Sequence, residues 1–382
     1  MTAGFDMAMV QRGARLRRSP YFDATLRDGC WGYTVYNHTF LPIGYDDLEQ
    51  EYWKLLNDVT VWDVSVERQI EISGPDGFAF TNFLTPRDLT KCAVGQGKYV
   101  IITAEDGGIV NDPVLLRLEE NRFWLALADS DVLLWARGVA LNSGMDVEVK
   151  ELDVAPMQVQ GPKSKPVMQA LFGDAVLELD YYWFLDTELD GIPVIVTRTG
   201  WSGEVGFELY LRDPSRGTEL WDRVMEAGKP HGIVPTGPSD IRRIEAGILN
   251  YGVDMTINEN PFEVGLGWQV KLDQGADFIG KTALARIKDE GVSRKLVGVE
   301  IAGEKLDMNM TRWPVRANGD PIGAITSAVY SPRLEKNIGF AMLPIEYAEL
   351  GTALVAEVPS GEQPITVVQK PFVDPSKEIP KS

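Results

Sequence analysis

The chain of 382 residues, 44% hydrophobic and 9% aromatic, is long enough to pack two or three domains. Its 56 acidic against 37 basic side chains leave a formal charge of −19, which repels polyanions and makes nucleic acid a poor partner. Two histidines, His38 and His231, and two cysteines, Cys30 and Cys92, are too few for a His/Cys metal cage or a disulfide framework, so no metal is expected.

No window reaches the ~18 apolar residues of a membrane span. The opening "MTAGFDMAMVQRGARLRRSP" has basic residues but lacks the apolar core and cleavage site of an export signal. A cytoplasmic protein without membrane contact is the expectation.

In chain order, "RQIEISGPDGFAFTNFLTPRDL" predicts a strand, a Gly-Pro turn and an amphipathic helix from near Asp76. "KYVIITAEDGGIVNDPVLLRLEENRFWLALA" predicts three strands, joined at Asp106-Gly107-Gly108 and at Glu119-Glu120-Asn121. "SDVLLWARGVAL" then reads as a helix. From about 150 the order recurs: "VAPMQVQGPKSKPVMQALF" is strand, turn and helix, and "IPVIVTRTGWSGEVGFELYLR" is a hairpin. "GTELWDRVMEAGKPHG" and "PSDIRRIEAGILN" are helices, the second capped by Ser239. Beyond about 292, short strands separated by turns predict a β-barrel or sandwich. The class is α+β: two related units followed by a β domain.

Inside this pattern, Asn111 and Asp112 interrupt a run that otherwise reads as buried strand. Asp is a poor strand residue, and a carboxylate removed from water needs a partner or a purpose. Either Asp112 satisfies backbone donors at a turn, or it faces a ligand. "GADFIGKT", Gly275 to Thr282, has the spacing of a phosphate-binding loop, but Asp277 and Phe278 suit that loop badly and the segment falls late in the chain. It is read as a chance match.

Seven stretches taken in order, "VWDVSVERQIEISGPDG", "GGIVNDPV", "VQGPKS", "GWSGEVGFELY", "RRIEAGILNYGVDM", "GLGWQVK" and "DFIGKTAL", resemble the aminomethyltransferase (T-protein) family of the glycine cleavage system across nearly the whole chain. "GYTVYNHTFLP", "VNDPV" and "ADSDVLLWARG" look most similar to its bacterial dimethylsulfoniopropionate demethylase branch. The resemblance implies a three-domain cloverleaf around a central tetrahydrofolate channel. The first domain would take 1–65 and 150–250, the second 66–149 and 251–291, and the β domain 292–382. It implies a one-carbon transferase: aminomethyl chemistry in one branch, methyl transfer from sulfur to tetrahydrofolate in the other, with a small-molecule donor as partner.

The resemblance assigns Asp112 to the acidic residue facing the pterin, as the catalytic group, and Glu208 to the anchor of the amino-pyrimidine edge. Tyr99, Trp201, Arg243 and Trp268 match its other folate contacts. Core packing is the alternative for Trp201 and Trp268, and an ion pair with Asp240 the alternative for Arg243. An onium donor needs an aromatic, partly dry pocket and no general acid, because its leaving group departs neutral. Tyr33 and Tyr36, with Tyr181, Tyr182 and Trp183 in "DYYWF", are the candidate walls, or else ordinary core. A betaine or a methoxyarene remains an alternative donor, the latter with His38 or a tyrosine as acid. Asn111-Asp112 departs from the T-protein acidic pair, and "SGEVGFE" departs from the demethylase form "SKQGGFE". The "KGCYxGQE" signature of the non-enzymatic folate-binding branch is missing, which makes a pure binding module the weaker alternative.

Overall fold

Successive strands Thr60–Asp63 and Gln69–Ser73 enter different sheets, and the site is built on that parting. The computed structural model describes residues 13–382. The first twelve residues, on which the expectation of an unexported chain partly rests, lie outside the described residues.

One sheet has six strands in the order 184–189, 192–197, 206–211, 155–160, 60–63 and 234–235. All its pairings are antiparallel except that of Val234–Pro235 with Thr60–Asp63. Strands 155–160 and 206–211 are buried on both faces. Helices Ser164–Phe172 and Gly217–Gly228 cover one face through Val167, Met168, Leu220, Trp221 and Val224. On the other face, Ile195 and Tyr210 meet Leu116, Trp124 and Ala126 of the second sheet. Each such buried apolar side chain contributes roughly 1.5–3 kcal/mol.

The second sheet has five antiparallel strands in the order 148–152, 69–73, 122–126, 114–119 and 97–99, with helices Gly77–Leu84 and Val132–Ser143 against it. Residues 64–68 carry the chain from the first sheet to the second, in a tight crossover where Glu67 N donates to Val64 O and Arg68 N to Val66 O, both at 2.9 Å. From Arg294 to Val368 the chain forms a closed six-stranded barrel, filled by residues such as Val299, Val315, Ile325, Leu343 and Val367.

The three bodies meet in one apolar cluster: Ile101 and Ile109 from the second, Ile244 and Leu249 beside the first, and Leu296, Ile338 and Phe340 from the barrel. Beyond Val368 the chain leaves the barrel. Phe372 N and Val373 N donate to Glu245 O at 2.9 Å, and the Arg198 guanidinium donates to Pro380 O at 3.1 Å.

The helix Asp240–Glu245 starts as its sequence predicts, with Ser239 Oγ accepting from Arg242 N at 3.3 Å. The helix after Asp76 also forms, but the Asp76 carboxylate turns away from it and accepts from Asp146 N at 2.8 Å. The run around Asn111 differs from expectation. Ile109–Asn111 pairs only with Ile102–Thr103, in a separate two-stranded sheet. Asp112 and Pro113 end it, since proline has no N–H to extend a ladder.

Candidate functional site

Asn111 and Asp112 point to different tasks, as neighbours on an extended chain must. Asn111 is fully buried, and its amide clasps the loop after the second sheet: Nδ2 donates to Ala128 O at 3.0 Å and Ser130 Oγ at 2.8 Å, while Oδ1 accepts from Ala128 N at 3.1 Å. Its hydrogen bonding is structural. Asp112 is only half-buried and accepts from the Tyr99 hydroxyl at 2.9 Å through Oδ2. Burial pushes its carboxyl up to about 7, against the Tyr99 hydrogen bond and with a further push from Asp254.

Glu208, on the buried strand 206–211, sits among donors. Oε1 accepts from Gln158 Nε2 at 2.7 Å, and Oε2 accepts from Thr199 Oγ1 at 2.5 Å and from the Tyr210 hydroxyl at 2.9 Å. Oε1 therefore keeps lone-pair capacity for another donor. Glu67, from the crossover, is within electrostatic reach of both Glu208 and Asp112; burial raises its carboxyl well above the usual range, and their charges raise it further. Tyr36 faces the same group, its hydroxyl pushed up by burial and by Asp112 and Glu67. Among the described residues, no group of His, Cys, Asp and Glu is arranged to hold a metal ion.

The rim of this acidic, tyrosine-lined site is held by backbone strain. Tyr182 has φ of 70°, rare for a bulky residue, with Gly97 N donating to its carbonyl at 2.6 Å and its own N–H donating to Arg198 O at 3.0 Å. Its ring meets Tyr181 edge-on at 4.6 Å, and burial raises both hydroxyls, with Glu208 adding to the shift. Trp183 lies beside Gly95 and bridges to Gln96, so it joins the two sheets. Arg87 donates to Tyr99 O and lies 5.0 Å over the Trp268 ring. Trp268 is 52% exposed, so it is no core residue. On the other side of the Gly265–Trp268 loop stands Lys370, its ammonium 5.2 Å over Phe340 and lowered to about 8 by burial.

Two assignments change. Arg243 is committed to protein groups: Nε to Asp240 at 2.6 Å, Nη1 to Asp254 at 2.8 Å and Nη2 to Ser327 Oγ at 2.9 Å. It joins the helix 240–245 to the barrel, with its guanidinium 5.8 Å from the Trp201 ring; Trp201 itself packs on Leu55, Trp62 and Val64. Tyr33 lies elsewhere, packed on Phe22 and Phe40 with its hydroxyl 2.8 Å from Thr25 Oγ1. Burial pushes its hydroxyl up, with Cys30 and Asp63 adding to the shift. His38 is exposed at the hairpin tip, with φ of 57°. Asp112, Tyr99, Tyr36, Glu208 and Tyr182 thus come together, with Trp268 at the rim.

Glu67, Arg87, Lys370 and Gln158 were not singled out from sequence. Glu67 had one signal, a charged residue in a five-residue gap between two buried strands.

Residues 22–274 match the family model of the GCVT N-terminal domain, and residues 294–374 match that of the glycine cleavage T-protein C-terminal barrel domain. The chain belongs to the glycine cleavage T-protein family. A dimethylsulfoniopropionate demethylase of Ruegeria pomeroyi is 37% identical over 94% of this chain and 98% of its own. An aminomethyltransferase of Symbiobacterium thermophilum is 32% identical over 94% of this chain and 97% of its own. The crystal structure of the aminomethyltransferase T of Bartonella henselae superimposes with a TM-score of 0.86 at 24% identity, covering 94% of this chain and 98% of that one, and so shares its fold. Enzymes of the family transfer one-carbon units with tetrahydrofolate as carrier, and this chain is such an enzyme. The site fits that carrier chemically: spare carboxylate lone pairs on Glu208 suit an N–H-rich pterin edge, tyrosine rings suit its flat faces, and Arg87 and Lys370 suit its carboxylates.

Proposed function

We propose that the protein demethylates a sulfonium donor of the dimethylsulfoniopropionate class and passes the methyl to tetrahydrofolate, giving 5-methyltetrahydrofolate. The observation that carries this reading is the site's charge and lining: Glu67, Asp112 and Glu208 together, walled by Tyr36, Tyr99 and Tyr182. Negative charge with aromatic faces attracts an onium centre. The likeness to a demethylase at 37% identity supports the same choice over aminomethyl transfer, for which the relatives cited stand at 32%.

Tetrahydrofolate supplies the ring nitrogen that accepts the methyl. Glu208, through its free Oε1 capacity, orients the pterin edge. Tyr99 fixes Asp112, whose carboxylate stabilises positive charge at the acceptor nitrogen and takes the displaced proton; a carboxyl near 7 suits that exchange at neutral pH. The donor's sulfur departs as a neutral thioether, so no acid is needed. Arg87 and Lys370 hold carboxylates at the rim, and Arg243 acts as a positioning residue through Trp201. The same reading divides the chain into 1–65 with 150–250, 66–149 with 251–291, and 292–382; the strands of the two sheets support it except Glu148–Leu152, which belongs to the second sheet and crosses the boundary at 149/150.

The test is a donor panel: a sulfonium, a quaternary betaine, a methoxyarene and an aminomethyl-bearing lipoyl carrier, each with tetrahydrofolate. Methyl product from the sulfonium alone, or fastest from it, supports the reading. Methylene product from the lipoyl carrier, with none from the onium compounds, moves the protein to the aminomethyltransferase branch.

A further inference from the structure

Glu67 differs from its two acidic neighbours in having nothing to bind. Asp112 has the Tyr99 hydroxyl, and Glu208 has Gln158, Thr199 and Tyr210. Among the described residues, the Glu67 carboxylate has no hydrogen-bond donor and no cation; only its backbone is engaged, with the carbonyl accepting from Gln69 Nε2 at 2.7 Å and the N–H donating to Val64 O at 2.9 Å. The side chain is half-buried rather than sealed in the core. The short crossover fixes its position between the sheets, and a third carboxylate placed beside two others is electrostatically costly.

A pterin edge brings N–H groups and rewards a carboxylate with directed hydrogen bonds. An onium centre brings positive charge spread over methyl groups with no N–H to donate, so its partner must be an unpaired carboxylate among aromatic faces. Glu67 meets that description: Asn37 Nδ2 donates to Val66 O at 3.0 Å and so seats the hairpin that carries Tyr36 against the crossover, and burial, Asp112 and Glu67 raise the Tyr36 hydroxyl. We propose that Glu67 receives the positively charged centre of the methyl donor and makes the site selective for sulfonium and quaternary ammonium compounds over neutral ones of the same shape. This rests on the methyl-transfer reading above.

The test compares dimethylsulfoniopropionate with 4-methylpentanoate, the isostere that has a neutral carbon in place of the sulfonium, each bound to wild type, Glu67→Gln and Glu67→Asp and followed by calorimetry. In Glu67→Gln the preference for the cation should shrink roughly ten- to a hundredfold. Affinity for 4-methylpentanoate and for tetrahydrofolate should stay within about twofold of wild type. Glu67→Asp keeps the charge and should keep the preference for the cation. An unchanged preference in Glu67→Gln overturns the proposal, as does a loss confined to folate affinity, which would assign Glu67 to the pterin. If wild type makes no methylated folate, the reading of the reaction fails, while the binding comparison still decides the role of Glu67.

Discussion

The Tyr99 hydroxyl donates to Asp112 Oδ2 at 2.9 Å in surroundings that raise that carboxyl from 3.8 to about 7. The folded chain therefore holds this proton over a range in which the unfolded chain has lost it. Between about pH 4 and pH 7, stability falls as pH rises, and the penalty stays constant above 7. Asp112→Asn removes it: the variant should melt at the same temperature or higher at pH 8 and show a flatter pH dependence. Its turnover should fall tenfold or more, and the rise of wild-type turnover through pH 7 should vanish. A lower melting temperature with normal turnover would make Asp112 an ordinary turn residue.

Glu208→Gln replaces an acceptor with a partial donor in a place already crowded by Gln158, Thr199 and Tyr210. Both folding and folate binding should suffer. Folate affinity should drop by roughly one to two orders of magnitude and the melting temperature by a few degrees, with the rate recovering at saturating folate. Wild-type affinity measured by tryptophan fluorescence would remove Glu208 from the pterin edge.

Arg243 and Asp254 are both buried and paired at 2.8 Å. Arg243→Met strands the aspartate and should cost about 3–5 kcal/mol in denaturant unfolding, part of which Asp254→Asn restores. A stable Arg243→Met protein that has lost only ligand affinity would return this arginine to the folate.

The architecture was largely legible because its cues are local. Ser239 caps its helix, Asp106-Gly107-Gly108 turns its hairpin, and the strands after Arg294 close into a barrel. Asp112 was legible as an anomaly, an acid in a buried run. Glu67 was not, because an acid between two strands looks solvated until both strands are seen to enter different sheets. Arg87 and Lys370 are far apart in sequence and flank one loop only after the barrel docks. Tyr33 misled because "GYTVYNH" puts two tyrosines on one hairpin, and the structure sends only Tyr36 to the acidic site.

Arg87 and Lys370 carry the charge that receives carboxylates in a chain of net −19. Arg87→Gln should weaken glutamyl-bearing folate several-fold and leave tetrahydropteroate, which lacks the glutamate, unchanged. Lys370 is charged below about 8 and neutral above it. Carboxylate affinity should therefore fall as pH rises past 8, and Lys370→Met should lose that limb. Equal losses for both pterins in Arg87→Gln would contradict the assignment.

The most direct measurement follows one methyl group. Purified protein, tetrahydrofolate and dimethylsulfoniopropionate carrying ¹³C-labelled S-methyl groups are mixed and observed by NMR. The expected result is label appearing as the N5-methyl group of the folate, in step with loss of tetrahydrofolate and with one equivalent of thioether formed, no transfer when folate is omitted, and transfer tenfold or more slower in Asp112→Asn. Thioether formed at the same rate without folate, or folate left unlabelled while the donor is consumed, would contradict the account.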